Sequence, residues 1–416
     1  PATVWLDERS KPQVETIAGK VGDGEIHRIS GKPVDVTPCL YRCQWFAEHE
    51  PDNYASAVRV SEVHGYLSHK LTGQWVTSTA SADPMGLLDM EAQDWSDVLL
   101  SAVGLSREQM PALFRPGQVM GQVSQQASAE TGLMAGTPVV AGGGDGQCAG
   151  TGTNVLVEGR AYINLGTAVV SGSYNTGYAH NRAFRTMGAI AEEGFIFESC
   201  VRTGTFLVDW MVRELFGADP REQPDIFNQL EAEAEAAGVG ARGVMLVPYW
   251  SGVMTPYWDA SARGVIAGLS ASHGRGDVYR SILDGIVLEQ AMVTDQIAEA
   301  GGAIDHYVAI GGGASSDLWC QILADASDRP VHRLETVEAS ALGAGMAAAA
   351  GGGLFASVAQ AAAAMSGEPK QTFTPDPKTV ARYKELRAIH KDFWPKLAEW
   401  NRRLVAFAES ETAPDA

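Results

Sequence analysis

The chain has 416 residues, 45% of them hydrophobic and 19% charged, with 31 Lys and Arg against 50 Asp and Glu for a formal charge of −19. That length favours two or three domains with a sizeable core, and the acid excess argues against nucleic acid or an anionic membrane as the main partner, since both reward clustered Lys and Arg. No run of eighteen apolar residues occurs, and cysteines scattered at 39, 43, 148, 200 and 320 make no disulfide framework, so a soluble protein of the reducing cytoplasm is expected.

Residues 40–75 read as two helices, the first carrying Leu40, Cys43, Phe46 and Ala47 and the second, SEVHGYLSHKLTG, closing at Gly73. A loop-rich stretch follows over 77–94, and short helices alternate with turns over 95–136. Three units then pair an apolar strand with glycines. TPVVAGGGDG is a strand that stops at three glycines, AYINLGTAVVSG (161–172) is a hairpin folded about Gly166, and YVAIGGGASSDLW (307–319) is a buried strand, a glycine turn and a helix opened by Ser316 or Asp317. Between the second and third units the pattern gives helices near 206–216, 231–237 and 278–298. EASALGAGMAAAAGGGLF is a helix of small residues. The last helix starts at Asp376-Pro377 and carries Tyr383, Leu386, Phe393, Leu397, Trp400, Leu404 and Phe407 at helical spacing, with a kink expected at Pro395 and disorder in ESETAPDA. Strands, glycine loops and helices in this mixture predict an α/β fold without a 20–50-residue repeat.

Glycine tolerates positive φ and lets backbone N–H groups approach an oxyanion closely, so three such loops together point to a bound polyanion. A GxxxxGK[ST] string is absent, because the Gly-Lys pairs at 19–20 and 31–32 are followed by Val and Pro. Gly144, Gly146 and Ala149 match the dinucleotide pattern G-x-G-x-x-[GA], but no acid stands about twenty positions on, where INLGTAVV runs instead. The first loop carries Asp145 at its tip. A carboxylate there is either a helix cap or turn residue, or a general base that takes a proton from an attacking hydroxyl.

Taken with their order and spacing, these strings resemble the FGGY family of carbohydrate kinases. The likeness is carried by WLDERS (5–10), TGLMAGTPVVAGGGDG (131–146), INLGTAVVSG (163–172), TPYWDASARGVIAGLSASH (255–273), AIGGGASSDLWCQILADASDRPV (309–331) and EASALGAGMAAAAGGG (338–353). The resemblance implies a two-domain fold of the actin, Hsp70 and sugar-kinase (ribonuclease H-like) type with an interdomain cleft, divided into residues 1–160 and 161–416. It implies ATP and Mg²⁺ as cofactors, Asp145 as catalytic base and, through water, as a metal contact, and Asp7 and Arg9 as sugar contacts. It implies Gly166 and Thr167 at the nucleotide phosphates, and Gly312, Gly313, Ala314 and Asp317 near the α-phosphate and adenosine. For Asp7 and Arg9 a surface ion pair is the alternative, and for Asp317 a helix cap. The small-residue helix after Glu338 would pack closely behind the nucleotide loop. The acceptor implied is a small-molecule sugar, a ketopentose such as D-xylulose ahead of glycerol, ribulose or erythritol, and a homodimer is common in the family.

Family members begin with an additional stretch bearing a DxGT-like phosphate loop, which the resemblance implies is missing here, so residues 1–416 alone are expected to show no sugar-dependent ADP release. GVMTP (252–256) stands where many members have GERTP, and Ser315-Ser316 replaces a common lysine; both departures bear on the sugar more than on the reaction. Cys39 and Cys43 share a helical face without a second ligand pair, His64 and His69 do not share one, and Trp5, Trp45, Trp75 and Trp95 read as core or cleft wall. The competing functions are a non-catalytic ATP-binding protein of the same superfamily and a nicotinamide oxidoreductase resting on GDGQCA.

Overall fold

The structure, a computed structural model, describes residues 3, 7–335 and 338–412. Its contacts gather the chain into two compact units, one formed by residues 1–158, 172–198 and 338–367 and the other by 159–171, 199–337 and 368–416. The main strands in chain order are β1 (Gly159–Leu165), β2 (Val169–Asn175), β3 (Arg185–Gly188), β4 (Phe195–Val201), β5 (Ile304–Ile310), β6 (Val331–Leu334) and β7 (Pro369–Phe373). Among the described residues no helix is long and apolar enough to cross a membrane.

In the first unit the two expected helices form as Cys39–His49 and Val63–Thr72, the second ending where Gly73 takes φ 76° and its N–H bonds the His69 carbonyl. Two further helices, Lys11–Val21 and Asp23–Ser30, precede them. Short ribbons pair Val76–Ser78 with Ala112–Phe114 and Val119–Gln122 with Pro138–Val140, while β3 runs antiparallel to the first half of β4. The loop-rich stretch proves to contain a helical turn, Thr79–Ala82, and a small ribbon of Leu88–Asp89 with Asp94–Trp95. Trp95 is core and donates Nε1–H to the Pro111 carbonyl at 2.9 Å; Trp5 lies outside the described residues.

The small-residue helix, Ala339–Gly351, belongs to this unit, and the neighbour its small residues admit is the helix Asp145–Gly152. A Cβ on Gly343 would lie 1.9 Å from the Cys148 carbonyl oxygen, and one on Gly152 would lie 2.1 Å from that of Ala339. The two helices therefore touch main chain to main chain. Burial around this seam pushes the Cys148 thiol up to about 11, which makes it a packing residue rather than a nucleophile.

The second unit is built on a sheet in the order β7-β6-β5-β1, continued by 169–171 of β2 and 199–201 of β4. The strand β5 is parallel to both β1 and β6, with Tyr307 opposite Ala161 and Val331, and β7 closes the edge antiparallel to β6. Parallel strands are covered on both faces, so they read as nearly continuous apolar runs, as YVAI does here. The helix Arg275–Glu299 is buried along most of its length, and several of its buried polar groups are paired: Arg280 with Asp284 at 2.9 Å, Glu289 Oε1 with Tyr249 at 2.9 Å and His390 at 2.8 Å, and Gln290 with Ser199 at 3.3 Å.

The last helix, Pro377–Thr412, is capped as expected, Asp376 Oδ1 accepting the Lys378 N–H at 2.7 Å. It continues through Pro395 and keeps helical backbone to Thr412, so the disorder expected from 409 onward does not hold up to that residue; 413–416 lie outside the described residues. Its apolar row is buried at Tyr383 and half-buried at Leu386, Phe393 and Leu397, with Trp394 beside the row buried, whereas Trp400, Leu404 and Phe407 are exposed.

Two measurements test this packing. Asp284 Oδ1 accepts from Arg280 and from the Tyr383 hydroxyl, and Oδ2 from the Gly240 N–H. Asp284→Ala leaves a buried guanidinium unpaired and is expected to lower unfolding free energy by about 3–5 kcal/mol in urea titration. In the first unit, burial holds the His27 imidazole down to about 4, with His180, Arg182 and Lys32 adding repulsion. An unfolded histidine takes its proton near pH 6.5, so stability is full above that value and declines as pH falls toward about 4. His27→Gln is expected to flatten this acid-side slope in denaturation midpoints taken from pH 7 to 4.5.

Candidate active-site residues

The strand Pro138–Val140 delivers the chain into a loop that is pressed onto the core, since a Cβ on Gly143 would fall 2.2 Å from Ile190 Cδ1. Gly144 is the helix N-cap, and Asp145 occupies the first helical position with its side chain exposed. Asp145 Oδ1 accepts the Gly146 N–H at 2.8 Å and its main-chain carbonyl accepts the Ser340 hydroxyl at 3.0 Å. Among the described residues Oδ2 accepts no hydrogen bond.

Beneath the loop, buried Gln147 receives the Gly144 N–H on Oε1 at 3.1 Å, and its Nε2 donates to the carbonyls of Ala80 and Gly188 at 2.8 and 2.9 Å and to Asp83 Oδ2 at 3.2 Å. Asp83 in turn pairs with Lys32 at 3.2 Å. Asp7 and Arg9 find each other, Arg9 Nε donating to Asp7 Oδ1 at 2.9 Å while the guanidinium lies 4.8 Å from the Trp45 ring. That bond holds the Asp7 carboxyl below the usual carboxylate range. Neither residue is hydrogen-bonded or ion-paired to Asp145 among the described residues.

In the second unit Ile310 stands opposite Asn164, which sets the loop after β5 beside the loop after β1. Closeness here depends on glycine. At Gly311, φ is 85° and a Cβ would lie 2.2 Å from Asn164 Oδ1; at Gly313 it would lie 2.9 Å from the Leu165 carbonyl oxygen. Gly312 has open space around it, and Ala314 is buried, so Ala314 can meet a ligand only through its main chain. The carbonyls of Gly166 and Thr167 accept the N–H groups of Thr205 and Gly204, each at 2.8 Å, which fixes the hairpin loop to the start of the helix Thr205–Trp210. Thr167 is exposed.

Ser316, not Asp317, caps the helix Asp317–Ser327, accepting the Trp319 N–H at 3.0 Å. Asp317 instead pairs with Arg333 at 2.8 Å. Arg333 also donates to the carbonyls of Ala314 and Ser315 at 2.9 and 3.2 Å and hydrogen-bonds Gln371 on β7, so one guanidinium ties the glycine turn to the sheet edge. Sequence reasoning missed Gln147 and Arg333. The first lies inside GDGQCA and was open to suspicion as a polar residue in a glycine loop, whereas VHRL gives no local sign of Arg333's role. Cys39 and Cys43 are free thiols, and no group of three or more His, Cys, Asp or Glu side chains is placed to hold a metal ion among the described residues.

One unit thus carries a strand-loop-helix with an exposed aspartate, and the other carries two adjoining glycine loops on a parallel sheet. Residues 1–152 match the N-terminal domain of the FGGY family of carbohydrate kinases and residues 147–352 its C-terminal domain. The chain belongs to that family and is a carbohydrate kinase. It is 29% identical to the xylulose kinase of Bacillus subtilis (strain 168) over 98% of this chain and 81% of the relative. To the autoinducer-2 kinase of Klebsiella pneumoniae it is 27% identical over 88% and 70%. The crystal structure of xylulose kinase from Rhodospirillum rubrum superposes with a TM-score of 0.88 at 24% identity, covering 95% of this chain and 80% of that one, and so confirms the two-domain α/β fold. Membership sets aside the nicotinamide oxidoreductase and the non-catalytic alternatives.

Gly311→Ala forces a side chain into positive φ against Asn164 and Leu165. It is expected to lower stability by on the order of 1–3 kcal/mol and to weaken nucleotide binding, read by thermal unfolding with and without ATP.

Proposed function

We propose that this kinase transfers the terminal phosphoryl group of ATP to a hydroxyl of a ketose, a ketopentose such as D-xylulose ahead of other sugars and polyols, with Asp145 as general base. The observation that carries the reading is the Asp145 carboxylate itself: exposed, fixed through its own backbone on both sides, and with Oδ2 unengaged. In the step, the sugar O–H proton passes to that carboxylate, the sugar oxygen forms a bond to the γ-phosphorus, and the bridging P–O bond breaks to release ADP. Because the transition state is metaphosphate-like, rate comes from positioning and charge neutralisation.

The glycine loops fit the donor side. Gly166, Thr167, Gly312 and Gly313 offer main-chain approach without a side-chain barrier, and Asp317, held by Arg333, is the candidate contact for the base or ribose. Magnesium, bound with ATP, supplies neutralisation of the phosphate charge. The absence of an acidic cluster among the described residues fits an ion held mostly by phosphate oxygens and water, with Asp145 as a water-mediated contact. Asp7 and Arg9 remain the proposed sugar contacts, their mutual ion pair presenting a preoriented carboxylate. The xylulose kinases among the relatives support the ketopentose; the autoinducer-2 kinases at similar identity are the reason the acceptor is a proposal. The family reading also carries a homodimer, and five free cysteines agree with the cytoplasm.

Asp145→Asn in the complete polypeptide is expected to keep ATP affinity and to lower kcat by about 10²–10⁴-fold. Coupled ADP release against a panel of ketoses and polyols reads both points, and turnover near that of the parent would assign the base elsewhere.

A further inference from the structure

We propose that Lys32 and Asp83 are positioning residues for phosphoryl transfer, holding the Asp145 loop in its working geometry through the side-chain amide of Gln147. The inference rests on the reading of Asp145 as the base and concerns what keeps that base in place.

Lys32 and Asp83 form an ion pair at 3.2 Å with side-chain exposures of only 6% and 0%. Burial lowers the Lys32 ammonium and raises the Asp83 carboxyl, each change opposed by the partner's charge. Apolar residues of similar size stabilise a core as well as or better than such a pair, so what the charges contribute is orientation. Their hydrogen bonds show of what. Lys32 Nζ donates to the Thr186 carbonyl at 2.8 Å, and Asp83 Oδ2 accepts the Gly188 N–H and Gln147 Nε2–H. The Gln147 Nε2 therefore faces three acceptors, Ala80 O, Gly188 O and Asp83 Oδ2, while its Oε1 faces one donor, Gly144 N–H. Turning the amide over would set an oxygen against three oxygens. The two main-chain carbonyls and the Gly144 N–H already set that orientation; what the pair adds is the placing of β3 beneath the amide, since Asp83 Oδ2 holds the Gly188 N–H and Lys32 Nζ holds the Thr186 carbonyl.

Gly144 is the residue before Asp145, so the bond from its N–H fixes the peptide that enters the base. The reach of Lys32 is built in as well: Gly31 takes φ 67° and a Cβ there would lie 2.9 Å from Thr186 Cβ, which brings the loop against β3. Both ends of the relay thus land on β3, at Thr186 and Gly188.

The test uses the complete polypeptide with Asp83→Asn and Lys32→Met, each alone and combined with Asp145→Asn. Alone, each is expected to lower kcat about 10- to 100-fold, the scale of a misplaced catalytic group, with KM for ATP within about twofold. On the Asp145→Asn background the same changes are expected to move the residual rate by less than about twofold, because a group acting through the base has nothing left to act on. Amide exchange over 142–148 should quicken about tenfold while 304–312 stays as in the parent, since the lost bond is local. Should Asp83→Asn fold poorly, Gln147→Met leaves the ion pair intact and carries the same expectations. Equal losses on both backgrounds, a lowered melting temperature with kcat retained, or exchange that quickens uniformly would each overturn the relay. Near-normal turnover of Asp145→Asn alone is a different failure: it removes the base assignment and this inference with it, whatever the exchange data show.

Discussion

One buried amide in the first unit has four partners within hydrogen-bond distance, and the arrangement around Gln147 is what lets a glycine loop hold a fixed shape. Three glycines in a row have little conformational preference of their own. The order of the Asp145 loop therefore comes from outside it, from the Gly144 N–H on Gln147, the Ser340 hydroxyl on the Asp145 carbonyl, and the backbone contact with Ala339–Gly351 behind. In the second unit Arg333 has the same physical task, since it grips two carbonyls of the glycine turn and two side chains of its surroundings with one planar group. In both places a glycine loop is stiffened by a single side chain with several donors.

The glycines themselves divide into two kinds. Gly143, Gly152, Gly311, Gly313 and Gly343 are required by neighbouring atoms, which a Cβ would strike. Gly142 and Gly312 have nothing within 4 Å, and space for a side chain goes unused there. Steric necessity inside the protein explains the first kind and not the second.

Elements with a strong local signal were legible. The strand-glycine-helix order of 304–327, the hairpin about Gly166, the glycine cap at Gly73 and the aspartate cap at Asp376 all follow from short-range chemistry and are present. Lys11–Val21 was not legible, because only Gln13 and Ile17 are buried in it and two positions make no period. The last helix misled in the other direction: its apolar row continues past the point where the protein covers it, and periodicity carries no information on where a neighbour ends. Of the site, Asp145 and the glycine loops stood out through motif, whereas Lys32, Asp83 and Arg333 did not. Their partners lie on other strands and loops, and a lone Lys, Asp or Arg looks like any surface charge until the fold buries it.

The seam between Asp145–Gly152 and Ala339–Gly351 joins segments nearly two hundred positions apart in the chain. On the ribosome the N-terminal portion emerges first, and the aspartate helix then has no partner for its bare glycine face until every strand of the second unit's sheet but β7 has been synthesised. Contacts of such long sequence separation form late and slowly. The nascent chain thus carries an unfinished first unit until Ala339–Gly351 emerges, and the support for the Asp145 loop arrives only after most of the second unit's sheet.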